Sequence, residues 1–242
     1  MIPIQSRDAF GRSNLNCVSL LVYNTAMSRL TLIAPCFPKR CFRLIPVIIL
    51  GLIISTQAQG NRSILVFGDS ISAAYGIDFE SGWAQQLARE LPHITLVNAS
   101  VSGETTGGGL TRLPTALKVH SPNLVVLELG GNDGLRGYPI DRIRTNLKQM
   151  IQDIRAHGAE VVLVGMVLPP NYGQRYLTKF ISMYQELARE ESVEYFLPAL
   201  LEGLETSRSL LQKDGIHPTA EAQPMISDQI KALIEPWIEA GS

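Results

Sequence analysis

From residue 63 onward the chain alternates short, almost unbroken apolar runs with longer stretches in which apolar residues return every three or four positions. The runs SILVF (63–67), ITLVN (94–98), NLVVLEL (123–129), EVVLVGMV (160–167) and the weaker EYFL (194–197) are predicted strands. All but the last are nearly continuous in Val, Ile and Leu, the pattern of strands covered on both faces. DRIRTNLKQMIQDIRAHG (141–158) is the clearest helix: Ile143, Leu147, Met150, Ile151 and Ile154 share one face, with Asp141 as N-cap and Gly158 closing the C-terminal end. Weaker periodicity predicts helices over 83–91, 110–120 and 179–190, and a last one over 220–237.

No internal repeat, low-complexity segment or long linker divides residues 61–242. Strands alternating with helices imply right-handed crossovers and a parallel sheet with helices on both faces. The expected fold is therefore a single three-layer α/β domain. In such sheets ligands gather at the carboxyl ends of the strands. The loops after the first three strands begin at Gly68, Asn98 and Gly130, so any chemistry should lie there.

Charge changes the reading of the front of the chain. The first sixty positions hold six Lys and Arg against one acidic residue, leaving fifteen basic and twenty-one acidic in residues 61–242. The body carries no basic run, which argues against a nucleic-acid partner. Lys39, Arg40 and Arg43 precede the apolar LIPVIILGLIIS (44–55) and the small-residue stretch TQAQG. This is the pattern of a secretory signal cleaved after Ala58 or Gly60. The run is shorter than the roughly 18 residues of a spanning helix; an uncleaved anchor is the alternative. A start at Met27 would give the signal an ordinary length. Cys17, Cys36 and Cys41 all lie upstream of the cleavage site, so the mature chain would have no thiol and no disulfide. The expected destination is the periplasm or the medium, as a monomer without stable membrane insertion.

Four short motifs stand at the predicted strand ends and before the last helix: Gly68-Asp69-Ser70, NASVSGETT with Gly103, LGGNDGLRG with Asn132, and DGIHP with Asp214 and His217. Each has a plain structural reading. Ser70 could cap a helix, Gly103 could serve a turn, Asn132 could satisfy loop backbone, and DGIHP could be a turn before a helix. Their joint arrival at the strand ends favours chemistry. A serine hydroxyl needs a base to become a nucleophile. Imidazole suits that task near neutral pH, and a carboxylate on its other nitrogen fixes the tautomer. Asp214 and His217, three apart, can meet locally. The backbone N–H groups of Ser70 and Gly103 and the Asn132 amide are the candidate donors to the oxyanion of a tetrahedral intermediate.

The blocks FGDSISAAYG, NASVSGETTGGGLTRLP, LELGGNDGLRG, LPPNYGQRY and DGIHP resemble, in order, the conserved blocks of the SGNH, or GDSL, hydrolase family. Within it they are similar to the exported acyl-CoA thioesterases that also act as proteases and lysophospholipases. The likeness covers 62–238. It implies a flavodoxin-like sheet of five parallel strands, with the family's serine, glycine, asparagine and histidine at Ser70, Gly103, Asn132 and His217 and its catalytic aspartate at Asp214. It also implies a loop that moves on acyl-chain binding, giving Leu135, Tyr138 and Ile140 a part in chain preference, with Asn171 and Tyr172 bordering the same groove; simple packing on the core is the alternative for all five. Ile71 stands where the motif has leucine. Ser72 in place of a glycine fails the G-x-S-x-G elbow of ordinary α/β-hydrolases.

Other polar residues are given structural roles: Asp69 shapes the serine loop, Asp133 anchors the GGND turn, and Glu104 lies at the surface. His93, His120 and His157 lack the acidic clustering of a metal site, and the GGG at 107–109 lacks the lysine of a phosphate loop. The expected protein is an exported serine esterase acting on small lipophilic esters and thioesters, with neither metal nor cofactor. Two alternatives stay open: a carbohydrate or peptidoglycan O-acetylesterase on the same fold, and an acyl-chain-binding protein.

Overall fold

The computed structural model of the protein describes residues 62–201, 203 and 209–241. The predicted signal segment, Met27 and the three cysteines lie outside the described residues. Five strands form one sheet: β1 (Ser63–Gly68), β2 (Thr95–Asn98), β3 (Leu124–Glu128), β4 (Glu160–Val164) and β5 (Tyr195–Leu197). Every neighbouring pair is parallel, in the order β2-β1-β3-β4-β5. The helices are α1 (Trp83–Glu90), α2 (Thr106–His120), α3 (Gly131–Leu135), α4 (Ile140–Ala156), α5 (Gln174–Glu190) and α6 (Gln223–Glu239). Among them α1 packs on α6, while α2 packs on α4 and α4 on α5. The fold is the expected three-layer α/β/α sandwich.

The sheet is the core. Ile64 to Phe67, Leu124 to Leu127 and Val162 to Val164 are essentially inaccessible to solvent, which is why these strands read as continuous apolar runs. From β1 the chain first goes outward to β2, then returns past β1 to β3. The direction of winding therefore reverses between β1 and β3, and the crevice above their carboxyl ends is where such sheets bind ligands. Both Ser70 and Asn132 follow those two ends directly.

Several elements differ from the sequence-based expectation. β4 stops at Val164 rather than 167. A Cβ on Gly165 would stand 2.1 Å from the Pro198 carbonyl oxygen, and the backbone beyond it leaves the sheet; Met166, Val167 and Leu168 are apolar because they wall a cleft. α2 starts at Thr106, four residues before the predicted helix, because three glycines hide its first turn. A Cβ at Gly109 would come 2.5 Å from Leu129 Cδ1, so the helix needs glycine there to sit close to the sheet. Likewise α5 begins at Gln174, five residues before the predicted start. Asp141 is not the N-cap of α4; Pro139 holds that position and Asp141 lies in the first turn, where its charge still favours the helix dipole. Finally α3, a single turn, lies in what reads as loop.

Candidate active site

The turn after β1 is built by Asp69. Its Oδ1 accepts from the Ile71 amide at 3.0 Å, and its carbonyl accepts from the Ala73 amide at 3.0 Å. That wraps the backbone tightly around Ser70, which is nine-tenths buried. From the far end of the chain, an isolated antiparallel bridge between Leu211 and Pro218 closes a loop that carries Asp214 and His217. Ser70 Oγ lies 2.8 Å from His217 Nε2, and His217 Nδ1 lies 2.7 Å from Asp214 Oδ2. The other oxygen of Asp214 accepts from the Ile216 and His217 amides at 2.9 and 3.0 Å. Although desolvation pulls the Asp214 carboxyl upward, these hydrogen bonds hold it below its ordinary value, so it stays charged.

Two contacts clamp the histidine loop to the serine loop. Gln212 Nε2 donates to the carbonyls of Tyr75 (2.7 Å) and Pro218 (3.1 Å), and its backbone N–H donates to the His217 carbonyl at 2.7 Å. Above them the Tyr75 ring packs on the imidazole, with centroids 4.5 Å apart. Neither Gln212 nor Tyr75 stands out in the sequence.

On the other side of Ser70, the Asn132 amide donates to Asp69 Oδ2 at 3.0 Å. Burial pushes the Asp69 carboxyl up to about 6, against the opposing pull of the Ile71 amide, the Asn132 amide and the His217 charge. Asn132 sits in the first turn of α3, and Gly130, at φ +117°, makes the reversal into it. Asp133, within that turn, anchors it: its two oxygens accept from the Thr106 amide (2.8 Å) and hydroxyl (2.6 Å), tying α3 to the start of α2. Gly103 takes φ +80°, a backbone only glycine adopts readily, and nothing lies within 4 Å of where a Cβ would be. Its loop is held by the Val101 amide on the Gly68 carbonyl (3.0 Å) and by Arg136 on the Gly103 carbonyl (3.3 Å). Glu104, expected at the surface, is instead mostly covered and paired with Arg112 at 3.0 Å.

Ser70, Asn132 and His217 line one cleft of about 480 Å³ whose remaining walls are largely apolar, among them Leu135, Leu168, Pro169, Leu177 and Leu211. Of the five predicted groove residues, Leu135 alone lines this cleft. Ile140 and Tyr172 border a second, shallower depression of about 880 Å³ with Arg175 and Tyr176, and Asn171 and Tyr138 line neither. Tyr172 still bears on the cleft through its hydroxyl, which donates to the Leu135 carbonyl at 2.8 Å. His93, His120 and His157 lie at element ends away from the cleft. Sequence reasoning passed over Glu128, fully buried beneath the Ser70 turn; the available signal was a lone charge ending an apolar strand.

The profile of the GDSL-like lipase/acylhydrolase family matches residues 66–223. The chain is 44% identical to Esterase TesA of Pseudomonas aeruginosa over 193 residues, covering 78% of this chain and 96% of that protein. It is 39% identical to Thioesterase 1/protease 1/lysophospholipase L1 of Escherichia coli, covering 79% and 92%. Among solved structures, a psychrotrophic esterase, EstA of a Pseudoalteromonas species inhibited by monoethylphosphonate, superposes with a TM-score of 0.70 at 37% identity, covering 74% of this chain and 99% of that one.

Proposed function

The chain belongs to the GDSL-like lipase/acylhydrolase family and is an ester-bond hydrolase; from that premise we propose that it is an exported serine esterase cleaving lipophilic carboxylic esters and thioesters through a covalent acyl-enzyme. The observation that carries this reading is the unbroken line from Asp214 through His217 to Ser70, ending at the floor of an apolar cleft. Ser70 Oγ attacks the carbonyl carbon as its proton passes to His217 Nε2. Asp214, accepting from Nδ1, fixes the tautomer in which Nε2 is free to act and stabilises the imidazolium. The oxyanion is received by the Ser70 and Gly103 amides and the Asn132 side chain. His217 then protonates the departing alcohol or thiol, and a water molecule repeats the sequence to release the acid.

The cleft wall favours an acyl chain over a sugar, which sets the O-acetylesterase reading behind the lipophilic-ester one. Membership of an ester-hydrolysing family sets aside the acyl-binding alternative. Relatives named esterase, arylesterase and thioesterase/lysophospholipase support the substrate range. Export rests on the signal-like residues 39–60, and an exported enzyme would not meet the cytoplasmic acyl-CoA pool. Among the described residues no helix is long and apolar enough to cross a membrane.

Ser70→Ala is expected to lower turnover of p-nitrophenyl butyrate by at least about 10³-fold with an unchanged circular dichroism spectrum, and to abolish labelling by a fluorophosphonate probe. Retained turnover or labelling elsewhere would refute the assignment. A series of acyl chain lengths on the wild-type protein then reads the depth of the cleft directly.

A further inference from the structure

Strand β3 is apolar until its last residue, Glu128, which is fully buried. Its Oε2 accepts from the Ser72 hydroxyl at 2.7 Å and from the Asp69 amide at 3.2 Å. Both donors belong to the turn that carries Ser70. The second oxygen, Oε1, is buried and has no hydrogen-bond partner. Gly68, Glu128's partner in the sheet register, makes room for it: a Cβ at 68 would lie 2.4 Å from Oε2. A carboxyl group has been fitted under the nucleophile turn, where an apolar side chain would have served packing alone.

Its protonation state follows from its surroundings. Among the described residues, no Lys or Arg pairs with Glu128. The titratable groups around it are Asp69 from the turn, Tyr184 from α5 and, farther off, Asp133 from α3 and His217 beyond Asp69. Two adjacent carboxylates in a dry interior cannot both hold charge. Asp69 has a donor on each oxygen, from the Ile71 amide and the Asn132 amide. Glu128 has an oxygen with none. The charge therefore rests on Asp69 and the proton on Glu128, in keeping with burial and the Asp69 charge, which together hold the Glu128 carboxyl well above its ordinary value.

We propose that Glu128 is a positioning residue for the hydrolysis: as a neutral carboxylic acid it supports the Ser70 turn from beneath and leaves Asp69 as the carboxylate that aims the Asn132 amide. A carboxylate only accepts hydrogen bonds, so it holds the nitrogen end of Asn132 towards itself. The second N–H of that same nitrogen is then the one available to an oxyanion. Were Asn132 to turn over, its carbonyl oxygen would face the developing negative charge and repel it. Were Glu128 ionised, Asp69 would have to take up the proton, and a protonated Asp69 no longer enforces the orientation. The proposal rests on the serine-esterase reading and assigns it a support that touches no substrate.

Two measurements test it. Infrared spectroscopy of the intact protein at about pH 8, where Asp69 is ionised, should show the carbonyl stretch of a protonated carboxylic acid, and Glu128→Gln should remove that band. Absence of the band in the wild type overturns the proposal, whatever the role of Ser70. In kinetics, Glu128→Ala should lower kcat for p-nitrophenyl butyrate by about 10–100-fold, a fraction of what losing an oxyanion donor costs, with KM changed less than about threefold. Glu128→Gln, which is neutral, of equal size and able to accept from both the Ser72 hydroxyl and the Asp69 amide, should restore most of the lost kcat. Equal damage from Gln and Ala would show that a charge is needed at 128 and overturn the proposal. Unchanged kcat in folded Glu128→Ala would reduce Glu128 to a packing residue and overturn it too. Should the Ala variant fail to fold, the infrared band still decides.

Discussion

Asp69 is asked to do two things that conflict. On the proposed mechanism it must be charged to aim Asn132, yet it is buried beside another carboxyl, and burial pushes its carboxyl up to about 6. A folded-state pKa raised above the ordinary 3.8 means that the native state binds the proton more tightly than the unfolded chain does. The associated stability is fully present below about pH 3.8 and is lost as pH rises through about 6. A shift of that size corresponds to on the order of 3 kcal/mol. Replacing Asp69 with asparagine removes the titration, so urea unfolding should show the variant gaining on the wild type by up to about that amount between pH 4 and pH 7. The same variant should lose at least about tenfold in kcat, because an amide facing Asn132 no longer dictates which end turns to the substrate. A variant with a flat stability difference across that range would show that Asp69 is not held at a raised pKa. On the proposed mechanism, the stability sacrificed at this one position is the cost of an aimed donor.

At the scale of elements, the segment between α3 and α4 is held by two tyrosines from outside it. Tyr172 donates to the Leu135 carbonyl and Tyr176 to the Tyr138 carbonyl, each at 2.8 Å. Removing both hydroxyls in a Tyr172→Phe, Tyr176→Phe variant should cost about 1–3 kcal/mol of stability in total. Because Leu135 lines the cleft, the double variant should change kcat/KM for long acyl chains more than for butyrate. Equal effects on both would detach this segment from chain selection. Such ties are invisible in the sequence, and this marks the boundary of what was legible there. β1 and β3 could be read because buried parallel strands must be apolar throughout, and Ser70 and Asn132 drew notice because they follow the ends of those two strands, whereas Gly103 follows β2 and His217 lies in the loop before α6. The run EVVLVGMV misled at its end, since cleft-lining Met166 and Val167 look like strand residues when only hydropathy is consulted. α3 was hidden because one turn around Gly130 and Gly131 carries no periodicity. Glu128, Gln212 and Tyr75 were missed because each acts through a partner more than 50 positions away.

For the whole molecule, the distribution of thiols and the proposed export are one question. The sequence has three cysteines, at 17, 36 and 41, and none between 42 and 242. The described domain is therefore held by its sheet-centred core and hydrogen bonds, with no cross-link to be formed in an oxidising compartment. Such a chain can fold after export without any disulfide machinery, whereas cysteines left on a retained leader could pair or oxidise there. If residues 39–60 act as a secretory signal, protein recovered from the periplasm of a Gram-negative host should begin at Gln59 or Asn61 by N-terminal sequencing and titrate no thiol with Ellman's reagent under denaturing conditions. Unprocessed chain from the cytoplasm should titrate up to three. The recovered protein should also unfold at the same urea concentration with and without a reducing agent, since nothing in it can be reduced. A recovered protein that keeps its thiols and fractionates with the membrane would instead make the apolar 44–55 segment an anchor, and the cleft at Ser70 would then work on substrates met at a bilayer surface.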